Sequence, residues 1–358
     1  MKILMIIPSL GSGGAERVLS SLANDWVKRK KCDIELAILM DSKDFYTIDK
    51  NIKVHRIGYI PGSSNKVLGI FNLALNLRKL IKDIKPDVCF SFIRGSNIVT
   101  LISTLGVPTK VVISERDSPK APVSKFYNYL RKILYPLCNG LIVQTNDYKD
   151  FVVNSIGNIN QVVIPNPVRD INTNKNSREK IIISVGRLIP VKGHKYLIDA
   201  FSKCKSNQDW KLVILGEGAL RKDLEQQINK LNLQDKVVLV GAVHNVDDWL
   251  RKSSIFAFTS LSEGFPNALA EAMSASLPCV SFDCITGPKD LIEHEESGYL
   301  VDVGNVSDFS NKLDILMGSK KLREEFGEKS KITANTLDLK SISERYFAFL
   351  VEVFNSSK

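Results

Sequence analysis

Two carboxylates bracket a turn in the stretch TSLSEGFPNALAEAM, which runs from Thr259 to Met273. An apolar run at 255–258 predicts a buried strand before the turn, and the alanine-rich end predicts a helix after it. A plain connection of this kind needs Gly, Pro or Asn, but neither Glu263 nor Glu271. Glu271, about one helical turn in, is placed to accept two hydroxyl hydrogens, as a ribose diol requires. Glu263 is placed to meet a sugar hydroxyl or a positive centre, and the N–H groups of the Phe265–Leu269 turn add donors near the helix N-terminus.

Two cations follow the first strand of the second half, in the stretch VGRLIPVKGHKYLIDAF. Arg187 offers a planar fork to phosphate oxygens and Lys192 a point charge, so the pair could hold a diphosphate without a metal ion. The plain alternative is that both are solvated surface charges. The plain alternative for the glutamates is that they lie on a solvent-exposed helix face and that Phe265 is a hydrophobic cap.

Small residues follow three further strands and allow a backbone to approach a ligand closely. They are Gly11, Gly13 and Gly14 in the first half, Gly216 and Gly218 in the second, and Gly241 with Ala242 and Val243 after the next strand. Each turn alone is equally consistent with a tight connection that binds nothing. The chain lacks a Gly-x-Gly-x-x-Gly turn with an acid about 20 residues on, which argues against a nicotinamide oxidoreductase.

Short apolar strands alternate with helices along the whole chain, which predicts parallel sheets covered on both faces. In the first half the expected strands are Lys2–Pro8, Ile34–Leu39, Val54–Ile57, Val88–Phe92, Val111–Ser114, Gly140–Gln144 and Val162–Ile164, with helices at Glu16–Lys30, Leu68–Lys82 and Val123–Tyr135. In the second half they are Ile181–Val185, Lys211–Leu215, Val237–Val240, Ile255–Thr259, Cys279–Phe282 and Tyr299–Val301. Ligands bind at the carboxyl ends of such strands, so the candidate residues of the second half should converge on one edge.

A polar, asparagine-rich stretch at 164–180, broken by two prolines, predicts a hinge between two doubly wound domains. We expect an N-terminal domain over 1–166 and a C-terminal domain over 167–340. The final segment, 341–358, has helical apolar spacing and is expected to pack back on the first domain.

Composition excludes several classes of protein. The 358 residues are 44% hydrophobic and 25% charged, as in soluble globular proteins, and no apolar run approaches the roughly 20 residues that span a bilayer. The apolar start, Ile3 to Ile7, is short and predicts a buried strand instead of a signal peptide. The six cysteines lack C-x-x-C spacing and the four histidines are widely separated, which favours a reduced compartment and argues against a metal site.

The net charge of +10 lies entirely in the first half. Residues 1–170 hold 24 Lys and Arg against 14 Asp and Glu, whereas residues 171–358 hold 25 of each. Basic amphipathic segments with aromatics occur at 124–137, which contains Lys125, Arg131 and Lys132, and at 65–85. The apolar face of either helix could be core, but together with the charge we expect contact with an anionic membrane surface. Nucleic acid is not expected, because no nucleic-acid motif accompanies the charge.

The motifs GSGGAER, ISERDSP, VGRLIPVKG, LGEGALR and SEGFPNALAEAM resemble, in order and spacing, those of retaining GT-B glycosyltransferases of family four. The resemblance covers nearly the whole chain. It implies two Rossmann-like domains facing a cleft and metal-independent transfer of a sugar from a nucleotide-sugar, with no cofactor. It also implies a bacterial enzyme of O-antigen, capsule or lipid-linked oligosaccharide synthesis, cytoplasmic and peripheral on the inner face of the plasma membrane. The donor would be a UDP-hexose or UDP-N-acetylhexosamine, and the acceptor a glycan on polyprenyl diphosphate.

The resemblance also implies roles for individual residues. Catalytic roles fall to Glu263, Arg187 and Lys192. Donor contacts fall to Gly14, Gly216, Gly218, Val243, Phe265, Pro266, Asn267, Ala268 and Glu271. Acceptor or sugar contacts fall to Gly13, Glu16, Arg94, Glu115, Arg116 and Asp117. The chain departs from many relatives in lacking a histidine near the SER motif, and Glu115, Arg116 or Asp117 could take over its contact.

Three other functions remain open at this point. A sugar-nucleotide epimerase or a phosphorylase would share the fold. A non-catalytic, membrane-associated nucleotide-sugar-binding protein would keep the basic helices but would have no need of Glu263, Arg187 and Lys192 together. Transfer or hydrolysis of nucleotide-sugars by the purified protein separates these possibilities.

Overall fold

A computed structural model describes residues 1–11, 13–40, 42–59, 66–119, 121, 123–173 and 178–356. The chain forms two compact units. Unit 1 comprises Met1–Pro167 and Leu339–Lys358, and unit 2 comprises Val168–Asp338. The sequence places the corresponding divisions at 166/167 and 340/341.

Unit 1 is built on a parallel sheet of seven strands in the order β3-β2-β1-β4-β5-β6-β7. The strands are β1 (Lys2–Ile7), β2 (Asp33–Met40), β3 (Lys53–Tyr59), β4 (Val88–Phe92), β5 (Lys110–Ser114), β6 (Gly140–Val143) and β7 (Gln161–Val163). The helices are α1 (Gly14–Lys28), α2 (Lys66–Ile84), α3 (Arg94–Ser103), α4 (Lys125–Leu134), α5 (Asn146–Ser155) and α13 (Leu339–Asn355). The strand order reverses between β1 and β4, which makes this a doubly wound sheet.

Side chains alternate between the two faces of this sheet, and a different set of helices covers each face. One face packs Leu4, Ile6, Cys89 and Ile113 against helices that include α2 and α3. On the other face α1 meets α13, where the Trp26 indole N–H donates to Ser343 Oγ at 2.8 Å.

Unit 2 is built on a parallel sheet of six strands in the order β10-β9-β8-β11-β12-β13. The strands are β8 (Ile181–Val185), β9 (Lys211–Leu215), β10 (Val237–Gly241), β11 (Ile255–Phe258), β12 (Cys279–Phe282) and β13 (Gly298–Val301). The helices are α6 (His194–Lys203), α7 (Arg221–Lys230), α8 (Val246–Lys252), α9 (Asn267–Ser274), α10 (Pro288–Leu291), α11 (Val306–Gly318) and α12 (Lys320–Asn335). The order reverses between β8 and β11, so the predicted architecture of two doubly wound α/β domains is confirmed.

The structure adds elements that the sequence did not predict, chiefly α3, which starts directly at the end of β4. All six cysteines are free. In the described part of the chain, no helix has both the length and the apolar character needed to cross a membrane.

Candidate active site

The reversal of strand order in unit 2 brings the two catalytic loops predicted from the sequence to adjacent strands. Arg187 and Lys192 follow β8, and Glu263 follows β11, which pairs with β8. Crossover connections leave such a point in opposite directions, so a crevice opens between the two loops. The two loops are also joined through their backbones, because Leu261 N donates to Val191 O at 2.8 Å.

Lys192 and Glu263 form an ion pair. Lys192 Nζ lies 2.6 Å from Glu263 Oε1, and the side chains are only 21% and 11% exposed. Lys192 ends a short 3₁₀ turn, Pro190–Lys192, and Gly193 follows with φ 64°. A Cβ at position 193 would lie 2.1 Å from Thr259 O, so only glycine allows the two loops this close.

Arg187 is exposed, and no salt bridge of its guanidinium occurs within the described ranges. Its fork is therefore available to an anionic ligand. Beneath it, His194 is buried and its Nε2 lies 3.3 Å from Gly186 O. Burial lowers the pKa of His194 to about 4, so the ring is neutral at pH 7 and donates its Nε2 proton to the loop that carries Arg187.

Glu271 lies on α9 and is 8% exposed. Its Oε2 is 3.7 Å from a guanidinium nitrogen of Arg169. Phe265 and Pro266, just before α9, are buried. Their side chains therefore support the turn, and only their backbone could contact a ligand. The structure thus contains the hydrophobic Phe265 cap of the plain alternative as well as the two carboxylates. Asn267 and Ala268 begin the helix and are half-buried.

A loop after β12, which the sequence did not reveal, is hydrogen-bonded to the Glu263 turn. Thr286 Oγ1 donates to Glu263 O, and Ser262 pairs with Ile285 as a β-bridge. Thr286 has φ 69°, a conformation that is rare for a β-branched residue and that concentrates at functional sites. A Cβ on Gly287 would lie 2.3 Å from Pro266 Cδ. The Gly-Pro pair after β12 was a signal that could have found this loop.

The glycines after β9 are explained by packing within the protein. A Cβ on Gly216 would lie 2.0 Å from Gly186 O, and one on Gly218 would lie 2.4 Å from Leu188 O. Because these glycines have no side chains, the β9 loop can lie directly on the β8 loop. Val243, after β10, is half-buried at the same edge.

Arg169 and Asp247 are a further pair that the sequence analysis missed. An Arg169 guanidinium nitrogen lies 2.7 Å from Asp247 Oδ1, which follows the β10 loop at the start of α8. Arg169 thus contacts both that loop and Glu271. No sequence signal pointed to it, because a lone arginine in a polar hinge is usually solvated.

Cys284 lies near the ion pair and is not a candidate nucleophile. Burial, together with the neighbouring Glu263 charge, raises the pKa of Cys284 to about 12. The thiol is therefore neutral at pH 7, and only a thiolate would attack.

Unit 1 brings several of the predicted acceptor residues to the carboxyl edge of its own sheet. Gly13 is the residue before α1 and Gly14 its first residue, and the Glu16 carboxylate folds back over Gly13. This is the position of the acidic member of a capping box, so part of the role of Glu16 is structural. Burial raises the pKa of Glu16, and the charge of Asp117 adds to the effect. Asp117 is exposed.

Arg94 and Glu115 lie next to these carboxylates but are buried. Arg94 Nε is 3.7 Å from Glu115 Oε1, and Glu115 is 1% exposed. The Tyr135 hydroxyl donates to Glu115, and Asn97 Nδ2 lies 3.4 Å from that hydroxyl. Burial and then the Glu115 charge raise the pKa of Tyr135, so the phenol keeps its proton. Of the three residues considered as replacements for the missing histidine, Glu115 is thus enclosed by protein.

Arg116 does not join this cluster. Its guanidinium donates to Asn166 Oδ1 and to the Tyr346 hydroxyl, and it lies 4.6 Å from the Phe92 ring centroid. It ties β5 to α13 within unit 1. Asp117 is therefore the exposed member of the loop.

Helix α4 carries an exposed apolar stripe. Its members lie on one side of the helix and its extension and are Phe126, Tyr129, Ile133 and Leu137. Lys125 and Lys132 are exposed beside them. Arg131, which the sequence grouped with these lysines, is instead 4% exposed and bonded to Ser155 Oγ at 3.1 Å. The expectation for Arg131 was wrong because its position on the helix points inward. The second basic segment begins at Asn65, outside the described residues; on α2, Phe71 and Leu75 are exposed.

Comparisons with known proteins agree with this architecture. Residues 12–170 match the family described as Glycosyltransferase Family 4, and residues 169–333 match Glycosyl transferases group 1. A Campylobacter jejuni protein named N-acetylgalactosamine-N,N'-diacetylbacillosaminyl-diphospho-undecaprenol 4-alpha-N-acetylgalactosaminyltransferase is 32% identical over 98% of this chain and 99% of its own. A second C. jejuni protein, named as a GalNAc-alpha-(1->4)-GalNAc-alpha-(1->3)-diNAcBac-PP-undecaprenol alpha-1,4-N-acetyl-D-galactosaminyltransferase, is 28% identical over 99% of this chain and 100% of its own.

The fold is also similar to that of solved structures. The Anabaena protein Alr3699/HepE in complex with UDP superposes with a TM-score of 0.84 at 20% identity, covering 98% of this chain and 100% of that one. With two Rossmann-like units and full-length similarity of this kind, the chain belongs to the GT-B glycosyltransferases that combine a family 4 half with a group 1 half.

Proposed function

We propose that this glycosyltransferase moves a sugar, with retention of anomeric configuration, from a UDP-linked N-acetylhexosamine or hexose to a glycan carried on polyprenyl diphosphate. The observation that carries the proposal is the Lys192–Glu263 pair at the strand-order reversal of unit 2, with Arg187 in the same segment after β8 as Lys192. The names of the two C. jejuni relatives support an N-acetylhexosamine donor and a lipid-linked acceptor. The UDP complex of the Anabaena protein supports uridine as the base.

The proposed mechanism assigns opposite charges to the two sides of the bond that breaks. As the sugar–phosphate bond lengthens, the sugar gains positive charge and the diphosphate gains negative charge. Arg187 and Lys192 stabilise the departing diphosphate, so no metal ion is required. Glu263 lies beside the anomeric carbon and Glu271 holds the ribose. The ion pair keeps the cation and the carboxylate at contact distance before the donor arrives, which lowers the reorganisation needed in the reaction.

Unit 1 is proposed to bind the acceptor through the exposed Asp117 and the neighbouring Glu16. Carboxylates accept hydrogen bonds from sugar hydroxyls and from N-acetyl N–H groups, both present in the acceptors named for the relatives. Arg94 and Glu115 are buried and support the residues at this edge of the sheet. Gly13 and Gly14 bring the backbone of the first loop to the same edge.

The α4 stripe is proposed to rest on the anionic inner face of the plasma membrane. Exposed Phe126, Tyr129 and Ile133 would enter the headgroup region, and Lys125 and Lys132 would meet lipid phosphates. This placement would bring the enzyme to an acceptor that is itself held in the bilayer.

The proposed reaction is tested with purified protein and a panel of UDP- and GDP-sugars, with and without a short-chain polyprenyl diphosphate carrying an N-acetylhexosamine. We expect release of UDP that depends on the acceptor, and a product whose new bond is α by nuclear magnetic resonance. Interconversion of donor sugars without transfer would indicate an epimerase. Binding of UDP-sugars without turnover on any acceptor would indicate a non-catalytic protein, and a β product would contradict retention.

Membrane attachment is tested by sedimentation with anionic liposomes at low salt. Each lysine near an anionic surface contributes about 1 kcal/mol, so Tyr129→Ser with Lys132→Ser should reduce binding by about tenfold or more. The matched control, Ile332→Ser with Lys321→Ser on α12, also removes one exposed apolar residue and one charge and should bind normally. Equal loss in both variants would show attraction to overall charge only, and no loss in either would refute the α4 surface.

A further inference from the structure

Arg169 connects two elements at the carboxyl edge of the unit 2 sheet. It is the second residue of unit 2, in the segment that enters this unit from unit 1. Its guanidinium lies 2.7 Å from Asp247 Oδ1 and 3.7 Å from Glu271 Oε2. No role at the site follows for Arg169 from the sequence motifs, because it lies in the polar hinge.

One of the two carboxylates that Arg169 contacts is the residue proposed to bind the ribose, and the other lies on a neighbouring helix. Glu271 is the residue proposed to hold the ribose diol, and it is 8% exposed. Asp247 is the second residue of α8, which follows the loop that carries Val243. A carboxylate that accepts hydrogen bonds from both hydroxyls of a diol must hold one orientation, because each hydroxyl donates along its own direction. A guanidinium beside the carboxylate limits the orientations that it can adopt.

The geometry is specific to arginine. A guanidinium presents several N–H groups in a planar fork and can contact two carboxylates from one position, whereas an ammonium is a compact point charge. The Arg169 side chain is 49% exposed. Ion pairs at this exposure contribute little to stability. The ion pairs of Arg169 therefore contribute little to the stability of the fold. Their effect is to fix the position of Glu271.

We propose that Arg169 is a positioning residue for recognition of the ribose of the donor nucleotide. It orients Glu271 towards the 2′- and 3′-hydroxyls and connects it, through Asp247, to the first turn of α8. The inference rests on the proposed function, in which Glu271 binds the ribose. It adds that the preference for a ribonucleotide over a deoxyribonucleotide depends on a residue that does not touch the sugar.

The test compares the affinity of the full-length protein for UDP, 2′-deoxy-UDP and 3′-deoxy-UDP by calorimetry. A hydrogen bond to a charged group corresponds to a preference of about 10- to 100-fold, so the parent protein should prefer UDP over at least one deoxy analogue by that factor. Arg169→Gln should reduce the preference to about threefold or less, and Arg169→Lys should restore part of it. The melting temperature should change by no more than about 2 °C.

Two matched variants separate positioning from general effects. Asp170→Asn breaks the neighbouring ion pair, with Lys331, and should leave the preference for UDP unchanged. In a Glu271→Gln background, Arg169→Gln should cause no further loss of preference, because its effect passes through Glu271.

The failures are distinguishable. If the parent protein binds UDP and both deoxy analogues equally, Glu271 does not read the ribose, and the proposed function of that residue fails together with the inference. If the parent discriminates and Arg169→Gln discriminates equally well, Arg169 is not a positioning residue and the role of Glu271 stands. A loss of preference in Asp170→Asn equal to that in Arg169→Gln would also overturn the inference.

Discussion

Replacing Glu263 by glutamine should separate catalysis from nucleotide binding. The change keeps the size of the side chain and removes the charge that lies 2.6 Å from Lys192 Nζ. We expect turnover to fall by about 100- to 1,000-fold, because a charge aimed at a developing transition-state charge contributes about 3–4 kcal/mol. Binding of UDP should not weaken, because positive charge on the sugar exists only during the reaction.

The structure indicates that UDP should in fact bind more tightly to this variant. In the parent protein Lys192 is already neutralised by Glu263, and the carboxylate also repels an incoming diphosphate. Two unit charges at a separation of roughly 7 Å interact by about 2 kcal/mol at an effective dielectric constant of about 20. The site is partly exposed, so part of this is screened, and we expect UDP to bind about 5- to 30-fold more tightly.

The assay combines donor kinetics with calorimetric titration of UDP into the parent, Glu263→Gln and Glu271→Gln. Glu271→Gln is the matched control, because it removes the same charge from the neighbouring helix. It should mainly raise the KM for the donor and weaken UDP binding, with a smaller fall in kcat. If Glu263→Gln binds UDP tenfold more weakly and Glu271→Gln binds it normally, the two carboxylates have been assigned the wrong way round.

Three further outcomes are expected. Arg187→Ala and Lys192→Ala should each reduce turnover by about 100-fold or more, and parent-like rates in both would refute the diphosphate role. Activity should persist in excess EDTA, whereas a loss that only magnesium or manganese restores would show that the two cations are insufficient. Because the pKa of His194 falls from 6.5 in the unfolded chain to about 4 in the folded protein, its contribution to stability is lost as pH falls below 6.5. The parent should therefore lose about 2 kcal/mol more between pH 7 and pH 5 than His194→Gln in chemical denaturation, and identical pH profiles would contradict this.

The fold was predictable because most of its strands are short apolar runs, and most of them are separated by helices. Ile181–Val185 and Lys211–Leu215 were predicted to the residue, since buried parallel strands have apolar side chains on both faces. Helix α3 was missed because it begins one residue after β4 and its first turn contains Gly95, Ser96 and Asn97, which are typical of loops. Ile93, between the two elements, is held at φ 73°. Such a conformation is imposed by the surrounding structure and leaves no pattern in the sequence.

The sequence allowed the residues of the site to be identified where they directly follow a strand. It did not allow the contacts between their side chains to be predicted. Reading the residue types after β8 and β11 found Arg187, Lys192 and Glu263. Their spacing could not show that Lys192 and Glu263 meet, because that contact depends on which strands are neighbours in the sheet. The direction of Arg116 and the partner of Arg169 depend likewise on residues far along the chain.

The return of α13 to unit 1 makes unit 2 an insertion within the other unit. Both ends of the insertion lie side by side, because Val168 N donates to Leu337 O at 2.8 Å and Val168 pairs with Asp338 as a β-bridge. During synthesis unit 2 therefore has all of its residues as soon as Asp338 leaves the ribosome. Unit 1 must wait, since Phe90 and Trp26 gain their covering only when Tyr346 and its helix emerge. The half of the chain that is made first is thus the half that finishes folding last.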